Sequence, residues 1–367
     1  MKLDLYFARR FLQSFLMIGA IFLALIMLVD VMEQLRRFEG YNVSLGQMLW
    51  VTLLSAPKAV SEILPLIMIL ATIVLYVGLA RSSELVVTRA TGRSGIRALF
   101  APLFTALAIG VLTVTTLNPI VAATFNRAEQ LKDIYRSGSA SVFSLSAEGL
   151  WLRQAGAHGQ SVIHAEAYEG DPDQIALLDV SIIAFGEAGI PVRQIHAERA
   201  VLEEGFWLLQ NAKSWSIATG LNPESNSGTA DELRLPTSLT TDRVRDSIGR
   251  PTGVSIYDMP STIKELSAAG FSTLRYEVGF QVELARPLFL LAMVLIGAAF
   301  TMRHARFGGT GMAVLAAVFL GFTLYFVRNF AMVLGENGQL PVALAAWAPP
   351  IASIMLASGL LLHAEDG

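Results

Sequence analysis

Six apolar segments, each close to 20 residues long, constrain the fold of this chain more than any other feature. A helix needs about 20 apolar residues to cross the hydrocarbon core of a bilayer. The segments span residues 11–29, 63–80, 98–117, 278–302, 310–334 and 341–363. We therefore expect an α-helical polytopic membrane protein with six transmembrane helices.

The overall composition supports a membrane protein. Charged residues make up only 16% of the 367 residues, whereas soluble domains contain about 25%. The first apolar segment ends at Asp30 and Glu33 instead of a small-residue cleavage site. We therefore expect it to remain as a membrane span.

The stretch between the third and fourth spans is polar. Its start, residues 122–135, has helical character, and alternating runs follow at 161–165, 176–185, 194–202 and 206–217, separated by turn sequences. Many short strands with regular turns are typical of a sandwich or jelly roll. We expect transmembrane helices 1–3 in residues 1–118, a periplasmic all-β, jellyroll-like domain with flanking helices in 119–276, and helices 4–6 in 277–367.

Basic residues predict the orientation of the spans. Positive charge in short loops marks the cytoplasmic side. One side holds nine basic residues: Lys2, Arg9, Arg10, Arg81, Arg89, Arg93, Arg97, Arg303 and Arg306. The short connections of the other side hold three: Arg36, Arg37 and Lys58. Both termini are then cytoplasmic, and residues 119–276 lie outside the cytoplasm.

Missing motifs exclude several classes of enzyme. No lysine follows a glycine, so the chain has no Walker A loop for ATP. It has no cysteine and no His-Glu-x-x-His pair, which argues against thiolate metal sites and zinc proteases. The net charge of −3 gives no general attraction to nucleic acid. We expect a non-catalytic protein without cofactor or metal.

A short helix is predicted between the second and third spans, at residues 82–92. Ser82 or Ser83 suits its N-cap, Glu84 suits the positive N-terminus, and Gly92 suits its C-terminal end. Spacing alone leaves two interpretations open. The segment is either a surface linker or a coupling helix that docks in a groove of a separate ATPase.

The same string resembles the coupling-helix signature of the LptF/LptG permeases of lipopolysaccharide export. The string is Ala-Arg-Ser-Ser-Glu-Leu-Val-Val-Thr-Arg-Ala-Thr-Gly, beginning at Ala80. Further similar stretches occur at residues 55–58, 118–119, 149–153, 334–341 and 345–349. The resemblance covers nearly the whole chain, and Gly149-Leu150-Trp151 favours the LptG type over its paralogue LptF.

The resemblance implies a permease subunit of an ABC transporter, paired with LptF on a dimer of the ATPase LptB and joined by LptC. Such a complex extracts lipopolysaccharide from the Gram-negative inner membrane and passes it through β-jellyroll domains to a periplasmic bridge, LptA. In this chain Ser83, Glu84 and Arg89 would carry the ATPase coupling. Two other interpretations are LptF itself and a membrane-anchored assembly scaffold, but a scaffold has no need of a coupling helix.

Several charges lie at similar depth near the outer ends of the spans. They are Lys58 and Glu62 before the second span, Glu283 and Arg286 in the fourth, Arg328 in the fifth and Asp30 at the end of the first. Charges inside a membrane usually face a cavity or pair with one another. Glu283 and Arg286 form an internal pair, or the cations form a layer that binds lipid phosphates, and the two interpretations can coexist. By resemblance, Lys58, Asp30 and Arg136 match charged positions near the substrate cavity.

Overall fold

The structure is a computed structural model, and it describes residues 2–38, 41, 43–90, 94–137, 143–146, 149–156, 159–171, 174–186, 190–217, 226–237, 251–268, 272–302 and 310–366. The chain divides into a helical unit and a β unit. The helical unit comprises Met1–Ala128, Thr252–Tyr257 and Glu277–Gly367, and the β unit comprises Glu129–Pro251 and Asp258–Tyr276. Gly92, Arg93, Arg303 and Arg306, all named above, lie outside the described residues.

The described residues form nine α-helices. They are α1 (Lys2–Arg37), α2 (Leu45–Arg81), α3 (Glu84–Ala90), α4 (Gly95–Leu112), α5 (Asn118–Ser137), α6 (Met259–Ala268), α7 (Leu274–Thr301), α8 (Thr310–Glu336) and α9 (Val342–Asp366). Helix α2 begins with a capping box, in which Ser44 and Gln47 each satisfy the other's backbone amide. Ser94 caps α4 by accepting from the Arg97 amide at 3.3 Å.

Six candidate spans confirm the prediction from the apolar segments. Helices α1, α2, α7, α8 and α9 are each long and apolar enough to cross a membrane, and so is the continuous helical stretch Gly95–Lys132. The sequence correctly placed the helical continuation of the third span, since α5 extends it to Ser137.

Helices α2 and α7 form the centre of the helical unit, whereas α1 and α8 lie at its periphery. Of the residues in the most apolar stretch of each helix, 67% are buried in α7 and 61% in α2, but only 11% in α8 and none in α1. Close packing at the centre depends on glycine. A Cβ on Gly297 would lie 2.9 Å from Thr72 Cβ, and a Cβ on Gly110 would lie 2.7 Å from Pro287 Cα. Small residues at such positions let helix backbones approach in a membrane protein.

A π-helical segment, Thr113–Leu117, joins α4 to α5. Pro119 follows it and has no N–H to give to the carbonyl of Thr115, four residues earlier. The Tyr257 hydroxyl donates to that carbonyl oxygen at 3.0 Å. The segment Thr252–Tyr257 donates a second hydrogen bond, from the Ile256 amide to Asn118 Oδ1 at 2.8 Å.

The described strands of the β unit form one seven-stranded antiparallel sheet. They are β1 (Phe143–Ser146), β2 (Gly149–Gly156), β3 (Gly159–Asp171), β4 (Gln174–Phe185), β5 (Pro191–Glu203), β6 (Phe206–Ser216) and β7 (Gly228–Pro236). Their order in the sheet is their order in the chain. The four alternating runs of the sequence all lie within strands β3 to β6 or end one residue beyond them. The all-β character of the inserted region is thereby confirmed.

The sheet changes its buried face part-way along its strands. In β5, Ile195 and Ala197 are buried, and the next buried residue is Ala200, so the alternation shifts by one position. At the same level, Asp179 in β4 and Asn211 in β6 both adopt a left-handed φ of 51°. Asp and Asn tolerate this conformation better than most residues. A one-residue shift moves every following side chain to the opposite face of a strand.

Candidate functional site

The turn between α2 and α3 fixes the start of the short helix. Ser82 ends α2, and its Oγ donates to the Gly78 carbonyl at 3.1 Å. Ser83 adopts a φ of 60°, and its carbonyl accepts from the amides of Val86 and Val87. Ser83 therefore stands at the N-cap position of α3, and Glu84 is the first helical residue.

Four side chains form what we call the Glu84 cluster: Tyr6, Arg10, Ser82 and Glu84. The Tyr6 hydroxyl donates to Glu84 Oε2 at 2.7 Å, and Ser82 Oγ donates to Glu84 Oε1 at 2.8 Å. Arg10 Nη2 lies 3.3 Å from Oε1 in an ion pair. Partial burial opposes ionisation of Glu84, but the two hydroxyl donors and the charge of Arg10 together hold the pKa of that carboxyl below its usual value.

The remainder of α3 divides into an inner and an outer face. Leu85 and Thr88 are buried, whereas Val86 and Val87 are 53% and 63% exposed. The side chain of Arg89 lies outside the described residues. Val86 and Val87 are thus the exposed apolar side chains on the outer face of this short helix.

The second group of polar side chains is the Arg286 cluster, defined as Ser61, Glu283, Arg286 and Arg328. Arg286 donates to Ser61 Oγ of α2 and to Glu283 Oε1, the latter at 2.5 Å. The side chains of Arg286 and Glu283 are only 13% and 14% exposed. The internal pair expected from the i,i+3 spacing is thus present. Glu283 Oε2 is buried without a hydrogen-bond partner among the described residues.

Arg328 of α8 lies within electrostatic range of both Arg286 and Glu283. Its guanidinium carbon stacks 5.1 Å from the centroid of the Phe289 ring, and Nη1 contacts Asn329 Oδ1 at 3.5 Å. Within the described part of the chain, no acidic side chain forms an ion pair with Arg328. The cluster therefore contains two guanidinium groups and one carboxylate.

Lys58 lies one helical turn before Ser61 on α2. Its Nζ is 3.9 Å from Glu62 Oε1 and 4.5 Å from the centroid of the Phe125 ring. An ammonium over an aromatic face is attracted by the ring quadrupole. Lys58 therefore has two weak partners, of which the sequence indicated only Glu62.

Asp30 and Arg136 are not joined to the Arg286 cluster by any contact between described side chains. Asp30 Oδ1 accepts from Gln34 Nε2 at 3.4 Å, and its Oδ2 is buried without a partner among the described residues. The side chain of Arg136 lies outside the described residues.

Sequence reasoning missed Tyr6, Arg10 and Phe125 as contacts of candidate site residues. Tyr6 and Arg10 are four residues apart, so they lie on one face of α1. That spacing was available as a signal. Their contact with Glu84, which lies 74 residues beyond Arg10, was not. Phe125 lies in the extension of the third span, where nothing in the spacing relates it to Lys58.

Comparison with known proteins gives one family and several similar relatives. The family model for the lipopolysaccharide export system permease LptF/LptG matches residues 5–363. The LptG permease protein of Escherichia coli strain K12 is 25% identical over 362 residues, which cover 97% of this chain and 94% of that protein. The LptG permease protein of Haemophilus influenzae is 25% identical over 360 residues, covering 95% of this chain and 96% of that protein.

Proposed function

Because the chain belongs to the LptF/LptG family of lipopolysaccharide export permeases, we propose that it is the LptG-type permease subunit of an ATP-driven lipopolysaccharide transporter. It lies in the Gram-negative inner membrane with both termini in the cytoplasm. The complex extracts lipopolysaccharide from that membrane and passes it to a periplasmic bridge for assembly into the outer membrane.

The observation that most strongly supports this proposal is the position of α3 and the contacts at its first residue. The helix links two spans, its first residue is fixed by the Glu84 cluster, and Val86 and Val87 project from it. The chain has no phosphate-binding loop of its own. Work must then come from ATP hydrolysed by a partner, a dimer of the ATPase LptB, which meets this helix. Ser83 and Arg89 belong to the same coupling element.

The Arg286 cluster supports lipopolysaccharide as the substrate. Lipopolysaccharide combines phosphate groups with acyl chains, so its site needs cations beside apolar walls. Arg286 and Arg328 supply cations among apolar helices, and Lys58 lies one helical turn before Ser61, which contacts Arg286. Charged hydrogen bonds between arginine and phosphate are stronger than neutral ones. Glu283 holds Arg286 in place, and Asp30 and Arg136 belong to the same proposed cavity.

The proposed assembly contains a second permease, LptF, and the single-span protein LptC, with LptA receiving the lipid indirectly. The helical unit supplies the pathway through the inner membrane, and the β unit lies in the periplasm. The alternative is that this chain is itself LptF. Both assignments place it in the same complex, and they differ in which half of the pathway it forms.

Purification with partners tests the proposal. The tagged chain, extracted in mild detergent, should recover an ATPase, a second permease of similar size and a single-span protein. The complex in proteoliposomes should release lipopolysaccharide to an added periplasmic acceptor only when ATP is present. A chain that purifies alone, or a complex whose lipid release ignores ATP, would overturn the proposal. Mass-spectrometric identification of the second permease distinguishes LptG from LptF.

A further inference from the structure

We infer that Phe125 is a positioning residue, which restricts the ammonium group of Lys58 for contact with lipid phosphate, and that the segment Thr252–Tyr257 holds Phe125 in place. We call Thr252–Tyr257 the return segment, because the chain passes through it on its way back from the strands of the β unit. The inference rests on the proposed function and adds two elements to the proposed phosphate site.

Lys58 needs a contact from another helix to keep its charge in one place. Its ion pair with Glu62 is long, at 3.9 Å, and the Glu62 side chain is 60% exposed, so this pair gives little constraint. Lysine carries its charge on a flexible stem. The Phe125 ring centroid lies 4.5 Å from Lys58 Nζ. The ring face attracts the ammonium on one side and leaves N–H donors free for an anion on the other.

Phe125 lies in α5, and the direction of α5 is not fixed by its own helical bonds. The π-helical segment Thr113–Leu117 interrupts the regular bonding between α4 and α5. Pro119 has no N–H to give to the Thr115 carbonyl. A π-helical segment and a proline are both sites where a helix bends. The orientation of α5, and with it that of Phe125, therefore depends on contacts from elsewhere in the helical unit.

The return segment supplies two of those contacts beside the proline. The Tyr257 hydroxyl donates to the Thr115 carbonyl at 3.0 Å, before the proline. The Ile256 amide donates to Asn118 Oδ1 at 2.8 Å, at the first residue of α5. Ile256 is itself only 6% exposed. The end of the return segment is therefore anchored by burial as well as by hydrogen bonds.

The start of the return segment contacts α5 at the residue that follows Phe125. Asn126 Nδ2 donates to the Gly253 carbonyl at 2.7 Å. A Cβ on Gly253 would overlap Asn126 Oδ1, so the close approach of the two segments requires glycine here. The return segment thus holds α5 both at its first residue and directly beside Phe125.

Binding of phosphorylated and dephosphorylated lipid A to the purified complex tests the role of Phe125. Native mass spectrometry gives the ratio of the two affinities. Phe125→Leu keeps an apolar side chain without a ring face, and it should lower the preference for phosphorylated lipid about fivefold, the size expected for one cation–π contact. Phe125→Tyr keeps the ring face and should retain the preference. Phe104→Leu is the matched control, because Phe104 is an exposed aromatic residue of α4, and it should leave the ratio unchanged.

The dependence on Lys58 separates positioning from a general packing defect. If Phe125 acts through Lys58, Phe125→Leu should lower the preference no further once Lys58→Ala has removed the ammonium. A packing defect would instead lower the binding of both forms of the lipid. The same fivefold loss with and without Lys58 would overturn the inference.

A variant of the return segment tests the other half of the inference. Tyr257→Phe combined with Asn126→Ala removes two hydrogen bonds but leaves Phe125 and Lys58 unchanged. The preference for phosphorylated lipid should fall about threefold, which is within the range of one or two neutral hydrogen bonds. Adding Phe125→Leu should then have little further effect. Full preference in the variant, at normal yield of the complex, would show that the return segment does not position Phe125.

The outcomes distinguish this inference from the proposed function. If the unsubstituted complex recovers no ATPase, or binds both forms of the lipid equally, the proposed function fails and the inference falls with it. If the unsubstituted complex prefers phosphorylated lipid and Phe125→Leu retains that preference, the inference alone is overturned.

Discussion

The Glu84 cluster and the Arg286 cluster use charge in opposite ways. In the first, one carboxylate lies at the centre and three donors from the same chain surround it. In the second, one carboxylate pairs with Arg286, and a second guanidinium group, that of Arg328, lies nearby and stacks on Phe289. The first cluster is satisfied within the chain, whereas the second retains excess positive charge.

This difference suggests what each cluster does. A satisfied cluster stabilises a local arrangement and offers little to a ligand. Unpaired cations in a poorly hydrated environment are costly in free energy unless an anion pairs with them. We therefore expect the Glu84 cluster to hold the start of α3 in place and the Arg286 cluster to bind a ligand.

Reversing the charge of Arg328 should have the largest effect. Arg328→Glu places a second carboxylate near Glu283 and should lower retention of lipopolysaccharide about 100-fold or more, as expected for the loss of a buried charge contact. Arg328→Lys keeps the charge and should retain most binding. Lipid co-purifying with the complex is quantified by mass spectrometry. Equal retention in the two variants, with equal yield of the complex, would show that the charge of Arg328 is structural.

The outer face of α3 should dominate docking of the ATPase. Val87→Asp puts a charge on the exposed apolar patch and should weaken docking about tenfold to 100-fold, comparable to losing the burial of one aliphatic side chain. Glu84→Ala removes the carboxylate at the first residue of α3 and should weaken docking about tenfold, the size expected for one charge-assisted contact. Titration of the permease with purified ATPase measures both. Unchanged docking together with unchanged lipid release in Glu84→Ala would show that Glu84 has no part in the coupling.

Neutralising Glu283 should strengthen binding of the lipid. Glu283→Gln frees Arg286 from its ion pair and removes a negative charge that would repel phosphate. Retention should rise about fivefold, which corresponds to about 1 kcal/mol, and ATP-driven release should slow. Glu62→Gln removes an exposed carboxylate and serves as the matched control. Weaker retention in Glu283→Gln would indicate that the carboxylate orients the cations for the ligand.

The pair formed by Lys58 and Glu62 should contribute least. The two groups are 3.9 Å apart, and the Glu62 side chain is 60% exposed. Glu62→Ala should therefore change stability by less than about 0.5 kcal/mol. If pairing is the whole role of Lys58, Lys58→Ala will behave in the same way. If Lys58 also contacts phosphate, Lys58→Glu will lower lipid retention far more than Glu62→Ala does, while thermal unfolding of the complex stays similar.

The spans and the short helix could be predicted from the sequence because their signals are local. Apolar length fixes the six spans, and the serines before Glu84 mark the start of α3. The i,i+3 spacing likewise indicated the pair of Glu283 and Arg286. Each of these features depends on residues within a few turns of one another.

The contacts between helices that join the side chains of the two clusters could not be predicted from local spacing. Tyr6 meets Glu84 across 78 residues, and Arg286 meets Ser61 across 225. Such contacts depend on which helices pack together, and that packing is decided by close approaches such as Gly297 against Thr72. The order of strands in the sheet and the left-handed residues within it were also absent from the alternating pattern.

Binding of phosphorylated and dephosphorylated lipid A to the intact complex tests the central claim most directly. Native mass spectrometry would count the lipid bound to the unsubstituted complex and to Arg328→Gln. We predict that the unsubstituted complex prefers phosphorylated lipid A about tenfold or more, the value of one charge-assisted contact, and that Arg328→Gln loses most of this preference. Equal binding of the two lipids by the unsubstituted complex would contradict the assignment of the Arg286 cluster to lipid phosphate.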